Sequence, residues 1–123
     1  MKLEKKTWLI PDMYYPSDAN MPGPVCGHES ICILNPSDED AQVDIVLYFE
    51  DREPVQLQSV CCPARRTNHI RMDLIKTVDG ASVPQDTPYA ALVTTSVGTA
   101  VQYSRADARQ NALSLMTTIA YSV

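Results

Sequence analysis

The residues best suited to binding chemistry lie together in one segment, residues 60–73, with the sequence VCCPARRTNHIRMD. Arg65, Arg66, His69 and Arg71 fall within seven residues of a chain whose formal net charge is -5. Arginine presents a planar fork of donors that matches carboxylates and phosphates. The segment therefore predicts a site for an anion or a polar ligand. The alternative is a polar edge strand whose arginines pair with carboxylates elsewhere, since charge commonly protects sheet edges.

The spacing of this segment is typical of a β-strand. Pro63 cannot donate to a β-ladder, so we expect it at a bend or at the mouth of the strand. From Arg66 onward, successive side chains should point to opposite faces. One face would carry Arg66, Asn68 and Ile70, and the other Thr67, His69 and Arg71.

A second arginine group, Arg105 and Arg109 with Asp107 and Gln110, lies where a predicted strand gives way to a turn. Functional residues often stand at such strand ends, because the sheet positions them while the loop stays accessible. Pairing of an arginine with Asp107 is the alternative role. If the fold brings the two arginine groups together, we expect an ordered anion or polar ligand beside them, because like charges repel unless they are neutralised.

The search for catalytic and metal motifs leaves one candidate set. The sequence has no serine elbow, Walker loop, dinucleotide-binding glycine pattern or metalloprotease helix. His28, Glu29 and His69 could bind zinc, because two histidines and a carboxylate are suitable ligands. No short-range spacing joins them, so hydrogen-bonded structural histidines are the favoured interpretation.

Composition indicates a soluble globular protein of a single domain. The chain has 123 residues, of which 45% are hydrophobic and 20% charged. Residues 1–62 carry four Lys or Arg against eleven Asp or Glu, whereas residues 63–110 carry six against four. An acidic protein is a poor general nucleic-acid binder, because phosphate neutralisation drives that affinity. The local basic excess is still suited to binding an anion.

The sequence also favours a cytoplasmic location. The N-terminal residues lack the apolar run and cleavage site of a signal peptide. The uncharged segment 110–123 is shorter than the roughly 20 apolar residues of a membrane span. Cysteines 26, 32, 61 and 62 are expected to be reduced thiols, with Cys32 buried in the core.

The elements that would position these residues are short strands. Residues 7–10 (TWLI) predict a strand ended by Pro11, and residues 11–27 a long Pro-rich loop. In that loop, Tyr14 and Tyr15 could stack on a sugar or anchor the loop by half-burial of their rings. Residues 28–34 are apolar on both faces, which predicts a central strand.

The plainest pattern runs from residue 42 to residue 50. Val43, Ile45, Leu47 and Phe49 alternate with polar positions, so we expect residues 42–60 to form an antiparallel hairpin with these four side chains in the core. Residues 89–96 and 99–105 are two strands joined by the short Val97-Gly98 turn, and residues 114–122 close the chain as a strand. About eight short strands without a long helix predict an all-β antiparallel β-sandwich or jelly-roll-like barrel, with residues 1–123 as one domain.

Several motifs together resemble a known family. HESICILN, the DEDA turn, YFEDREPV, PARRT followed by H-x-R, PQDTPYA, VQYSRADARQ and the closing TIAY resemble, in that order, the sensory rhodopsin transducer family of soluble cytosolic proteins. The similarity runs from about residue 7 to residue 121. PARRT followed by H-x-R is the most specific of these motifs.

The resemblance implies a non-catalytic cytosolic β-sandwich that needs no cofactor and assembles as a cyclic homo-tetramer. It also implies a module that binds a small polar or anionic ligand, such as a sugar, with a membrane receptor as a further partner. A DNA-associated transcriptional regulator that uses the basic PARRTNHIR segment is the alternative. We also expect assembly from the sequence, because the apolar surface is more than one thin sandwich readily covers. That surface comprises the uncharged C-terminal residues Leu113, Leu115, Met116, Ile119 and Tyr121, together with Trp8 and the Tyr14-Tyr15 loop. The positions implied in ligand binding are His28, Glu29, Arg65, Arg66, His69, Arg71, Arg105, Arg109 and Gln110.

Overall fold

The structure, a computed structural model, describes residues 1–17, 27–107 and 114–123. Its ten strands are β1 (Thr7–Tyr14), β2 (His28–Asn35), β3 (Ala41–Phe49), β4 (Val55–Gln56), β5 (Val60–Cys62), β6 (Arg66–Arg71), β7 (Pro88–Thr95), β8 (Ala100–Asp107), β9 (Ser114–Ile119) and β10 (Tyr121–Ser122). Sheet A has the order β10-β1-β7-β3-β4, with β5 also paired to β3, and sheet B has the order β6-β2-β8-β9. All pairings are antiparallel, which confirms the predicted β-sandwich.

The amphipathic strand β3 has the predicted register. Val43, Ile45 and Leu47 are fully buried, while Phe49 is partly buried against the same core. Glu50 is exposed at the end of the strand. The antiparallel return is also present, but it is divided into β4 and β5 rather than forming one strand. Leu57, between the two pieces, is fully buried and its amide donates to the Ile45 carbonyl at 2.9 Å.

The prediction that Pro11 ends the first strand is wrong, and so is the loop assignment for residues 11–14. β1 continues through Pro11 to Tyr14 along β7. The register shifts between Ile10 and Met13, and such a bulge accommodates a proline because the ladder is already interrupted there. Residues 18–26 of the predicted loop lie outside the described part of the chain.

The Val97-Gly98 turn joins the two sheets instead of closing a hairpin. β7 belongs to sheet A and β8 to sheet B. The N-terminal residues cross this turn, with the Lys6 carbonyl accepting from the Thr95 amide at 2.9 Å. A side chain at Gly98 would place its Cβ 1.6 Å from the Leu3 carbonyl oxygen, so the crossing requires glycine.

β2 lies between β6 and β8, as the apolar pattern predicted. Ile31 and Ile33 are fully buried against sheet A. Cys32 points to the opposite face and is only partly buried, so its predicted core position is wrong. Burial still raises the pKa of its thiol, which keeps it protonated at neutral pH. Pro63 lies between β5 and β6, at the bend where it was expected.

Candidate functional site

Glu29 is the centre of a polar network at one end of the sandwich. It lies on the inner face of β2, and only 4% of its surface is exposed. Arg105 stands directly opposite it on β8. The Arg105 Nη2 atom donates to Glu29 Oε2 at 3.0 Å and Nε to the same oxygen at 3.3 Å. The buried carboxylate is thereby paired with a guanidinium whose side chain is 29% exposed.

Three further donors complete the shell of this carboxylate. The Tyr89 hydroxyl donates to Oε1 at 2.7 Å and the Tyr14 backbone amide to Oε2 at 2.8 Å. The Tyr103 hydroxyl also donates to Oε2 and accepts from Arg105 Nε at 2.9 Å. Tyr14 and Tyr89 belong to sheet A, whereas the other members belong to sheet B. One carboxylate therefore connects the two sheets through charge-assisted hydrogen bonds, which are the stronger kind.

The electrostatics of the network follow from burial and from the charge of Glu29. Burial, reinforced by the nearby carboxylate, raises the pKa of both Tyr89 and Tyr103. Burial opposes the charge of Arg105, but the hydrogen bonds and charge interactions with Glu29 and Tyr103 together outweigh burial and raise the pKa of the guanidinium. Both phenols therefore remain hydroxyl donors over the physiological pH range.

A cavity of about 30 Å³ opens beside this network. That volume holds roughly two water molecules, since one needs about 10–15 Å³. Its wall combines aromatic and apolar groups with carboxylates and one guanidinium. The lining residues are Tyr14, Tyr15, Pro16, Gly27, His28, Glu29, Met72, Asp73, Arg105, Ala106 and Asp107.

The aromatic rim of the cavity is held in place by Asp86. The Asp86 carboxylate accepts from the Ser17 amide at 2.9 Å, and the Asp86 amide donates to the Tyr15 carbonyl at 2.8 Å. The hydrogen bond from Ser17 lowers the pKa of Asp86, so the acceptor stays ionised. Asp86 itself has a φ of 54°, a conformation that aspartate tolerates better than most residues.

Four of the residues implied in ligand binding meet at this end. His28, Glu29 and Arg105 line the cavity. Arg71 reaches it through Asp73, with Nε and Nη2 each donating to one carboxylate oxygen of Asp73 at 2.8 Å. Burial opposes ionisation of Asp73, but the hydrogen bonds and the positive charge of Arg71, with smaller contributions from its surroundings, together outweigh burial and lower the pKa of Asp73.

Arg65 and Arg66 lie at the opposite end of sheet B, so the two arginine groups do not come together. Arg66 is paired with Asn35, whereas Arg71 is paired with Ser30. Five residues of strand separate these arginines by about 16 Å. Both Arg65 and Arg66 are exposed, and within the described residues neither forms an ion pair.

The segment that carries Arg65 packs against the acidic turn of residues 37–40. The Ala64 amide donates to the Asp40 carboxylate at 2.8 Å, and the Arg65 amide donates to the Ser37 carbonyl at 3.0 Å. Arg65 has a φ of 57°, which is uncommon for a residue with a side chain. Carboxylates therefore border this basic surface.

His69 stands apart from the other candidate metal ligands. It is opposite Cys32 on β2, four residues from His28, which corresponds to about 13 Å. Zinc requires ligand atoms about 2 Å from the ion, so His28 and His69 cannot share one. The described residues contain no group of three potential metal ligands. Arg109 and Gln110 lie outside the described part of the chain.

Sequence reasoning missed Tyr89, Tyr103 and Asp73 as members of the site. Tyr103 lies two residues before Arg105, so both share the inner face of β8. That spacing was visible in the VQYSR motif. Tyr89 lies in the other sheet, and no local sequence pattern predicts its contact with Glu29. Asp73 follows Arg71 by two residues, and this spacing could have suggested the ion pair.

Comparison with known proteins identifies the family of this chain. A family model described as Anabaena sensory rhodopsin transducer matches residues 3–122. The chain belongs to the Anabaena sensory rhodopsin transducer family. The resemblance drawn from PARRT and its companion motifs is thereby confirmed, and the transducer family is one of signalling proteins.

Two solved structures have a fold similar to that of this chain. The crystal structure of Thermotoga maritima 1070 is 34% identical, with a TM-score of 0.80 over 96% of this chain and 94% of that one. The Anabaena sensory rhodopsin transducer is 39% identical, with a TM-score of 0.74 over 84% of this chain and 96% of that one. No curated protein matches the sequence. Within the described residues, no helix has the length and apolar character needed to cross a membrane.

Proposed function

We propose that this member of the transducer family is a non-catalytic, homo-oligomeric signalling protein of the cytoplasm that binds a small polar ligand in the cavity beside Glu29. The main support for this proposal is the buried network centred on Glu29. It connects Arg105 and Tyr103 of sheet B with Tyr14 and Tyr89 of sheet A. A partly enclosed cavity, whose mostly apolar wall carries a few polar groups, suits a ligand better than a flat surface does.

The charge balance favours a neutral, hydroxyl-bearing ligand over an anion. Arg105 is paired with Glu29 and Arg71 with Asp73, so both nearby guanidinium groups already have a carboxylate. A phosphate would add charge next to these carboxylates, which is unfavourable in a partly buried site. A hydroxyl group fits the volume of the cavity, and a sugar or polyol can rest its remaining atoms against the rings of Tyr14 and Tyr15.

The same network gives the ligand a route to the rest of the protein. A hydroxyl that competes for Arg105 or Glu29 alters hydrogen bonds that tie sheet A to sheet B. Ligand binding can shift a conformational equilibrium only through contacts that differ between its two states. The cross-sheet bonds of Glu29 are contacts of that kind, and they support a sensory role rather than passive storage.

The receptor proposed for this signal is a membrane sensory rhodopsin or a related membrane protein. The Anabaena sensory rhodopsin transducer, 39% identical over 84% of this chain, is named for such a partner. A tetramer is the proposed assembly, by resemblance to the family. Closed cyclic or dihedral symmetry is the usual arrangement of such homo-oligomers.

A DNA-binding function has less support from the geometry. Arg65 and Arg66 are exposed and remain candidates for contact with an anion. The acidic turn of residues 37–40 contacts the same segment, however, and its carboxylates would face the phosphates. Because affinity for duplex DNA depends on phosphate neutralisation, this arrangement weakens the alternative.

A thermal-shift screen at low and high salt tests the proposal. The compounds are neutral sugars and polyols, sugar phosphates, nucleotides and duplex DNA. A neutral compound at a hundred times its dissociation constant should stabilise the fold by about 2.7 kcal/mol, at both salt concentrations. If only DNA stabilised the protein, and less so at high salt, the result would instead support the DNA-binding alternative. The absence of any stabilising compound would contradict a ligand-binding function.

A further inference from the structure

Residues 14–17 form one wall of the cavity beside Glu29, and this wall differs from the others in how it is held. Tyr14, Tyr15 and Pro16 line the cavity. The remaining lining residues belong mainly to β2 and β8, or follow β6 in the chain. β2 is paired with β6 and β8, and β8 with β2 and β9, so both strands are fixed on two sides. Among the described lining residues, those of the 14–17 wall are therefore the most able to move.

The β-ladder between β1 and β7 ends at this wall. Tyr14 is the last residue of β1 and stands opposite Pro88 of β7. Proline has no amide, so it cannot donate to Tyr14. The Tyr14 amide itself donates across the sandwich to Glu29 Oε2 at 2.8 Å. Residues 15–17 belong to no strand, so contacts outside the ladder determine their position.

Asp86 supplies those contacts from the other side of the wall. Its carboxylate accepts from the Ser17 amide at 2.9 Å and, over a longer distance of 3.5 Å, from the Tyr14 hydroxyl. Its amide donates to the Tyr15 carbonyl at 2.8 Å. One residue therefore contacts three of the four residues in the wall.

The loop that carries Asp86 is a firm support. It runs between Val83 and Tyr89, which are only 1% and 3% exposed. Within it Asp86 has a φ of 54°, a conformation that few residues other than glycine, asparagine and aspartate adopt. Such a conformation persists only where the surrounding structure holds it. The position of the Asp86 carboxylate is therefore well defined.

The closed cavity is smaller than the compounds proposed to bind there. Its volume of about 30 Å³ holds roughly two water molecules. One hydroxyl group fits this space, but a complete sugar or polyol does not. The rest of such a compound can be enclosed only if a wall moves, and residues 14–17 form the wall that the β-ladders hold least.

We propose that residues 14–17 are a gate over the cavity and that Asp86 is the latch that keeps the gate closed. Opening breaks the contacts of Asp86 with the segment and also separates the Tyr14 amide from Glu29, because these groups belong to one short stretch of chain. Asp86 is thus a positioning residue that acts on the cavity through the gate. The inference rests on the proposed function for what enters the cavity, whereas the motion itself takes place without a ligand.

Hydrogen exchange of the protein without any added compound, measured by NMR, tests the gate. The amides of Tyr14, Ser17 and Asp86 report on it. We expect them to exchange through one local opening, with similar protection and much faster than the core amide of Leu57, which donates to the Ile45 carbonyl. If the Tyr14 amide exchanged as slowly as that of Leu57, the wall would be as rigid as the core and the gate would be wrong.

Asp86→Gly removes the latch and still suits the backbone conformation. Exchange of the Tyr14 amide should become at least about fivefold faster, because the lost carboxylate accepts two hydrogen bonds from the gate. Asp86→Asn keeps an acceptor without the charge and should have a smaller effect. Arg65→Gly is the matched control, since Arg65 also has a positive φ, of 57°, but lies at the opposite end of the sandwich. It should leave exchange at Tyr14 unchanged.

The Tyr14 amide is decisive because it donates to Glu29 and not to Asp86. The proposal is overturned if Asp86→Gly accelerates only the Ser17 amide, since deletion of its acceptor explains that result without a shared motion. It is also overturned if the Leu57 amide accelerates as much as that of Tyr14, because the effect would then be a general loss of stability. The thermal-shift screen separates the two proposals. A screen without a stabilising compound would contradict ligand binding, whereas exchange at Tyr14 decides the gate.

Discussion

Replacing Glu29 by glutamine removes the charge at the centre of the network while keeping the shape of the side chain. The amide oxygen can take the place of Oε2, which accepts from the Tyr14 amide and from the hydroxyl of Tyr103. The amide nitrogen then faces the Tyr89 hydroxyl, which can rotate to accept from it. The number of hydrogen bonds is nearly conserved, so the substitution isolates the contribution of the charge.

The expected cost is about 3 kcal/mol. A hydrogen bond to a charged group contributes about 1.5–3 kcal/mol and a neutral one about 0.5–1.5 kcal/mol, so each of three donors loses about 1 kcal/mol. Two further effects of the substitution have opposite signs. Losing the attraction between Glu29 and Arg105 destabilises the fold, whereas no longer burying a charged carboxylate stabilises it. Arg105 is 29% exposed, so water can replace part of what it loses. In a domain of this size the melting temperature should fall by about 10 °C.

Urea unfolding at fixed protomer concentration measures this cost, because assembly would otherwise shift the apparent stability. Glu50→Gln is the matched control at an exposed position. It should change the free energy of unfolding by no more than about 0.5 kcal/mol. If Glu29→Gln changed stability as little as the control, or raised it, the charge of Glu29 would not hold the two sheets together.

Three other changes should follow from the structure. Because the pKa of Tyr103 is raised in the folded state, its hydroxyl contributes fully to stability below the unfolded pKa of about 10, and this contribution declines as the pH rises further. Tyr103→Phe should therefore flatten the alkaline part of a plot of unfolding free energy against pH. Because the pKa of Asp73 is lowered in the folded state, its carboxylate stabilises the fold above the unfolded pKa of about 3.9, and this stabilisation is lost as the pH falls. Asp73→Asn should therefore cost about 1 kcal/mol at neutral pH and make stability less dependent on pH in acid. An unchanged acid profile would contradict this. Gly98→Ala should destabilise by about 1–3 kcal/mol through its clash with the Leu3 carbonyl, and by much less in a chain that lacks residues 1–4.

The fold was predictable where one face of a strand is buried. The alternation in β3 determined its register, since a slip of one residue would expose Val43, Ile45 and Leu47. The course of β1 was less predictable, because Pro11 looks like a terminator unless the bulge beside it is known. The Val97-Gly98 turn gave no sign that it crosses between sheets, because that path depends on the N-terminal residues packed over Gly98.

The candidate site was predictable only in part. Local motifs identified Glu29 and Arg105, and the strand register placed them opposite each other. Arg66 and Arg71 are close in sequence, which suggested that they belong to one site. Because they lie on one extended strand, they are at opposite ends of sheet B. The contribution of Tyr89 depends on how the two sheets face each other, which no pattern within one strand encodes.

The most direct test is a calorimetric titration of the strongest stabiliser from the screen into three variants. Ala106→Leu narrows the cavity without touching the Glu29 network, Arg105→Ala removes the cavity guanidinium, and Arg66→Ala changes the distant basic surface. We predict that affinity falls at least about tenfold, or about 1.4 kcal/mol, in the first two variants and is unchanged in the third, with oligomeric mass preserved in all three. Arg105→Ala should also lower the melting temperature, because the buried Glu29 carboxylate loses its ion-pair partner. The account would be contradicted if the Ala106→Leu and Arg105→Ala variants bound the compound normally while Arg66→Ala did not. It would also be contradicted if the Arg105→Ala oligomer dissociated while its protomers bound the compound normally.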